Sequence, residues 1–194
     1  MKGLTPEVPE PDPGIKIMTH IDDKIIELAR TALSFEYGER HFYRHAAEMT
    51  RNSLGKAMFL RLADEEAGHM DDMHTLFSSI IGDDEWQRLA AEEEANAHPS
   101  KVIAEMEAAV AHRGMVAVAD DTQALRMAME LERRAIHLLK EMAKHIQDPE
   151  VIELIGKMIL EESSQYDALQ AQLDSVQNIG LWLDTPEFRM DGRF

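Results

Sequence analysis

The chain contains no cysteine. That absence excludes disulfides, thiolate catalysis, cysteine-ligated zinc and iron–sulfur clusters, and any bound metal must be held by oxygen and nitrogen. Aromatic residues are scarce at 6% and glycines number only 10, whereas alanine, leucine, glutamate and methionine are abundant. This balance disfavours strands and favours helices. No apolar run approaches the length of a membrane helix, and the N-terminal MKGLTPEVPEPDPGIK has no apolar core of the secretory type. A soluble, cytoplasmic protein is expected. Basic residues are few as well, 20 against 37 acidic ones, for a formal charge of −17. Such a field repels nucleic-acid phosphates and anionic lipid, so neither nucleic acid nor membrane is an expected partner.

The 194 residues suit one domain with a sizeable core. Residues 1–18 carry four of the seven prolines, Pro6, Pro9, Pro11 and Pro13, and read as an extended arm. Thr19 is a candidate N-cap for a long helix whose inward stripe runs through Ile25, Leu28, Ala32, Phe35, Glu39, Phe42, Ala46 and Met49 at alternating steps of four and three. Asn52, Ser53 and Gly55 break that pattern. A second helix follows with Met58, Leu62, Glu65, His69, Met73, Leu76 and Ile80 inward, ending near Gly82. Residues 82–121 read as a crossover in which GDDEW caps a short helix and HPS at 98–100 breaks it. A third long helix begins near Asp120, Asp121 or Thr122, any of which would serve as a cap. It places Leu125, Met129, Glu132, Ile136 and Leu139 inward and closes at QDPE, residues 147–150. A fourth carries Val151, Leu154, Met158, Glu162, Gln165 and Leu169 inward. The expected fold is an all-α four-helix bundle over residues 19–174, two helical hairpins joined by a long crossover, with residues 175–194 as a tail packed on the outside.

The two hairpins repeat. Glu36 and Glu132 are 96 positions apart, and so are Glu65 and Glu161, Glu66 and Glu162, and His69 and Gln165. Within each hairpin the helix pair Glu36 and Glu66, or Glu132 and Glu162, is spaced by 30 with its midpoint at the predicted turn. At a uniform rise per residue both members of a pair then lie at one height, so all four glutamates meet in one layer. Glu66 and His69, three apart, share a face, as do Glu36, Glu39 and Tyr43. Buried carboxylates need compensating charge, and two divalent cations supply it against four acids. A donor set of hard oxygens with one imidazole and no sulfur suits two iron ions, with manganese or zinc as other occupants.

Other acids and histidines read differently. Glu65 and Glu161 sit about 100° from the ligand positions and are expected to flank the layer or face solvent. His41 and His137 also repeat at 96 but point away from it; His45, His74, His112 and His145 have no counterpart and read as solvated. Tyr43, two turns from Glu36, is the candidate catalytic side chain, placed to hydrogen-bond a ligand or guide electrons, or else to serve as a core tyrosine.

The pieces FEYGERHFYRHAAE and LADEEAGHM, then MELERRAIHLLKEMA and LEESSQYDAL, resemble the rubrerythrin branch of the ferritin-like di-iron carboxylate proteins. The resemblance spans roughly residues 25–80 and 122–172. It implies Glu36, Glu66, His69, Glu132 and Glu162 as metal ligands, and a reaction with hydrogen peroxide or dioxygen of the peroxidase or ferroxidase type. Two departures stand out. The family's second histidine falls on Gln165, a weak oxygen ligand or a hydrogen-bonding neighbour. The family's extra carboxylate on the third helix falls on Ala135, while Glu39 on the first helix offers an additional ligand. The cysteine-rich electron-donating module of the longer family members has no counterpart here, which implies an external electron donor. A homodimer is expected, as for many such bundles. The alternatives are an iron-handling protein, or a helical module whose altered site binds one metal.

Overall fold

The computed structural model describes residues 23–96, 104 and 117–183. The proline-rich arm, Thr19, His112 and residues 184–194 lie outside them. Five long helices and no strands occur among the described residues: α1 (Asp23–Met49), α2 (Ser53–Ile81), α3 (Asp83–Ala95), α4 (Ala117–Ala143) and α5 (Pro149–Ile179). None is long and apolar enough to cross a membrane.

The turns that define the two hairpins lie where the sequence breaks. Asn52 caps α2 by accepting from the backbone of Leu54 and Gly55, at 2.9 and 3.3 Å. Asp148 caps α5 in the same way, with Pro149 in the first helical position, where its missing N–H costs nothing. Gly180 ends α5 in the left-handed conformation at φ +68°, a region that only glycine enters freely.

The helices pack as two hairpins, α1 with α2 and α4 with α5, with α1 against α4 and α2 against α5. Two apolar clusters fill the interior. The upper one joins Phe42, Tyr43 and Ala46 of α1 to Phe59 and Leu62 of α2, Leu125 and Leu131 of α4, and Leu169 and Leu173 of α5. The lower one joins Ile25, Ala29 and Leu33 to Met73, Phe77, Leu139, Met142, Ile155 and Met158. Late residues of α1 thus meet early residues of α4, so these two helices run antiparallel. Glu36, Glu66, Glu132 and Glu162 fall between the clusters in sequence on every helix.

The short helix α3 lies along the lower part of the first hairpin. Trp86 stacks on Phe77 at 5.5 Å between ring centroids, and Arg30 pairs with Glu92 and Glu93 at 2.9 and 2.6 Å. His74, expected to be solvated, instead bonds Asp83 at 2.6 Å and stacks on Trp86, because α3 folds back beside α2.

Other expectations need adjustment. Met49 is 52% exposed rather than inward, since it ends α1 where the bundle opens. Asp121 and Thr122 do not cap α4, which begins at Ala117; the Ala-Val-Ala lead-in extends the helix upstream. Past α5, which runs to Ile179, Trp182 returns onto the bundle and is buried against Phe59. Leu183 and the Gln172 side chain exchange two hydrogen bonds of 3.0 Å, which fix this return.

Gly55 makes room for it. A Cβ there would lie 2.7 Å from the Trp182 ring and 2.8 Å from Thr50. Gly55→Ala is therefore expected to lower stability by about 1–3 kcal/mol through overpacking. Urea denaturation with tryptophan fluorescence reads this, and an unchanged midpoint would show that the Trp182 contact contributes nothing.

Candidate metal centre

The layer between the two clusters is polar and closed. Glu36 and Glu39 come from α1, Glu66 and His69 from α2, Glu132 from α4, and Glu162 and Gln165 from α5; none is more than 9% exposed. Helical spacing places each there, because every one falls on the stripe that also carries the core residues above and below it.

The two hairpins bring carboxyl against carboxyl. Glu36 lies beside Glu66, and Glu132 beside Glu162, closely enough for each carboxyl to act on the titration of the other. His69 lies between them: its Nδ1 is 3.0 Å from Glu66 Oε2, 3.0 Å from Glu162 Oε1 and 3.7 Å from Glu36 Oε2. Its other nitrogen, Nε2, is 3.8 Å from Glu161 Oε2 at the surface. Glu132 Oε1 accepts a short hydrogen bond from the hydroxyl of Tyr43, which is fully buried.

Burial dominates the electrostatics. It pushes the carboxyls of Glu36, Glu39 and Glu132 well above their ordinary range, and their acidic neighbours add to the effect. Glu66 is raised for the same leading reason, with His69 acting against it. For Glu162 burial also acts upward, but the hydrogen bonds from His69 and Glu132 prevail and hold it low. His69 is penalised by burial, yet Glu162 and Glu66 raise it far above the usual imidazole value. Burial, then Glu132, likewise raises the Tyr43 phenol.

Many of the oxygens have no donor. Glu36 Oε2, both oxygens of Glu39, Glu66 Oε1, Glu132 Oε2, Glu162 Oε2 and Gln165 Oε1 are buried without a hydrogen bond. Such an oxygen ordinarily costs about 1–3 kcal/mol, and native proteins contain few of them. Concentrated in one layer, they form a donor set suited to hard cations. Two triads are compact enough to hold an ion: Glu36, His69 and Glu162, and Glu36, Glu39 and Glu66, each with ligand atoms within 4.8 Å of one another. Glu36 belongs to both.

A family model for rubrerythrin matches residues 27–173. The chain belongs to the rubrerythrin family. No curated protein and no solved structure matches it. The matched span holds the whole carboxylate layer, Tyr43 included.

Within the family frame the departures take physical form. Ala135 is buried, and Glu39 is directed into the layer from the opposite hairpin among Glu66, Glu132 and Glu162. Gln165 Nε2 donates to Glu65 Oε2 at 3.1 Å across the α2–α5 boundary, and Gln165 Oε1 is left without a partner. A groove of about 650 Å³ runs along that boundary and reaches His69, lined also by Arg61, Glu65, Glu161 and Gln165. Glu65 and Glu161 thus flank the site with defined contacts.

Replacing Gln165 by histidine is expected to break the link to Glu65 and supply a second imidazole to the layer. Zn(II) affinity, measured by competition with a chromophoric chelator, should rise by about 10-fold or more. Unchanged affinity would place position 165 outside the ligand set.

Proposed function

We propose that the chain is a di-iron carboxylate oxidoreductase that reduces hydrogen peroxide, and more slowly dioxygen, with electrons from an external donor. The observation that carries this reading is the pair of buried triads sharing Glu36. In this reading Glu36, common to both triads, would help to hold both ions. Glu66, Glu39, His69 Nδ1, Glu162 and Glu132 complete the set, with Gln165 as a neighbour that competes for Glu65. Two cations would compensate carboxyls that otherwise stay protonated, and the ions would supply the redox chemistry at the layer.

The protein's own groups do the rest. Glu161, 3.8 Å from His69 Nε2, would favour the ring orientation that aims Nδ1 inward. The Tyr43 hydroxyl holds Glu132 in one orientation and keeps a proton at the inner wall of the site. The apolar clusters above and below exclude water, which leaves the α2–α5 groove as the approach for a small oxidant. A homodimer remains part of this proposal.

Anaerobic mixing of the Fe(II)-loaded protein with peroxide tests the reading. Rapid ferric absorbance, slower with dioxygen and lost in Glu66→Ala, is the expected result. Oxidation no faster than that of free Fe(II), or equally fast in Glu66→Ala, would overturn it.

A further inference from the structure

The carboxylate layer is joined to the upper end of the bundle by three aromatic rings. Tyr43, bonded through its hydroxyl to Glu132, stacks on Phe59 with 6.3 Å between centroids and 23° between planes. Phe59 meets Trp182 edge to face at 6.0 Å. All three are buried, and no ring in the path is more than 7% exposed. Trp182 Nε1 donates to Asp121 Oδ2 at 3.4 Å, and the next residue back, Leu181, is 61% exposed.

The placement of Trp182 is specified by several independent features. Gly55 lacks the Cβ that would strike the indole, Gln172 clamps the backbone at Leu183, and Gly180 turns the chain back from α5. A bulky ring that merely filled the core would not require an indole N–H aimed at a carboxylate. Tryptophan and tyrosine are also the two side chains that lose one electron most readily in a chain without cysteine. Trp86, the other tryptophan, stacks on Phe77 and His74 at the opposite end of the bundle.

We propose that Tyr43, Phe59 and Trp182 form an electron path between the carboxylate layer and the upper end of the bundle, where an external one-electron reductant is oxidised. This rests on the peroxide-reducing reading above. In each passage Tyr43 gives one electron to the oxidised metal site, and its phenolic proton shifts along the hydrogen bond to Glu132 Oε1. Trp182 then gives one electron through the Phe59 ring to Tyr43, which recovers its proton from Glu132. The indole N–H proton moves to Asp121 Oδ2 in the same step. The external donor returns one electron to Trp182, and Asp121 returns the proton. Phe59 is not itself oxidised; it is the packed bridge between two redox-active rings. Two passages deliver two electrons which, with two protons drawn from solvent, reduce one peroxide to two waters.

The test uses the full chain with Trp86→Phe, so that Trp182 is the sole tryptophan. Azide radicals from pulse radiolysis oxidise the indole without any need for iron. The expected result is decay of the tryptophanyl absorbance matched by growth of tyrosyl absorbance, at a rate independent of protein concentration. That phase should be lost in Tyr43→Phe and slowed in Phe59→Leu. A rate that scales with concentration, or one unchanged in Tyr43→Phe, would overturn the path. A second arm treats the iron-loaded wild-type chain with peroxide in the absence of reductant and maps oxidised peptides by mass spectrometry. Oxidation of Trp182 but not Trp86, abolished in Tyr43→Phe, supports the role. Iron oxidation that leaves Trp182 unmodified overturns it. Failure of peroxide to oxidise the iron overturns the functional reading instead, and the radiolysis arm still decides the path.

Discussion

Glu36→Gln is expected to destroy metal binding while leaving the metal-free protein at least as stable as the wild type. Glu36 is the residue shared by both triads, and its Oε2 has no hydrogen-bond donor. An amide at that position keeps the shape, cannot supply a carboxylate to both triads, and removes one group that resists ionisation. Loss of a ligand outweighs loss of an outer partner, so metal affinity should fall by more than about 100-fold. Folding moves the other way, because exchanging an uncompensated buried acid for a neutral isostere is neutral or stabilising. Isothermal titration with Zn(II) and urea denaturation in chelator give the two halves of the result. A variant that binds two ions normally contradicts the shared-ligand role; one that unfolds without metal contradicts the packing described for the layer.

The metal-free chain should also lose stability as pH rises from about 5 to about 8, contrary to the usual behaviour of an acidic protein. Glu36, Glu39 and Glu132 lie well above the carboxyl value of 4.5, and Glu66 lies above it, with burial the first cause in each case. The unfolded chain releases these protons first, so the folded state binds more protons and its advantage shrinks with rising pH. Each carboxyl that stays protonated contributes a slope of about −1.4 kcal/mol per pH unit. His69, also raised, adds stability that is present below its ordinary value of 6.5 and fades above it. Glu162, held low, contributes stability that is already complete above 4.5 and adds no slope in this window. The sum is negative across the window. Saturating Zn(II) should reverse it, since cations displace the protons and bind more tightly as pH rises. Urea midpoints at three pH values, with and without Zn(II), check both signs. A metal-free midpoint that climbs with pH would mean the carboxyls ionise freely in the folded chain.

Much of this was legible before any coordinates. The 96-residue offset and the 30-residue spacing within each hairpin follow from the constant rise of a helix, so the height of the carboxylate layer could be read by arithmetic. The breaks at Asn52 and at QDPE were equally local signals, and there Asn52 and Asp148 cap the helices that follow. What the pattern could not show was rotation and reach. Gln165 lies on the inward stripe by periodicity, yet its amide turns to Glu65, a choice made by a partner 100 positions away. Tyr43 was one of three residues on a face; only the packing of α1 against α4 assigned its hydroxyl to Glu132. Trp182 belonged to a stretch with no periodicity, and its burial depends on a glycine far earlier in the chain. The start of α4 was placed too late because the Ala-Val-Ala lead-in extends the helix upstream, and the His74–Asp83 pair depends on α3 folding back beside α2.

The binuclear character of the layer is tested most directly by anaerobic titration of the metal-free chain with Fe(II), with free iron measured at equilibrium. Two ions per chain, bound with release of protons, is the predicted result. Saturation at one ion, or uptake unchanged in Glu36→Gln, would contradict it.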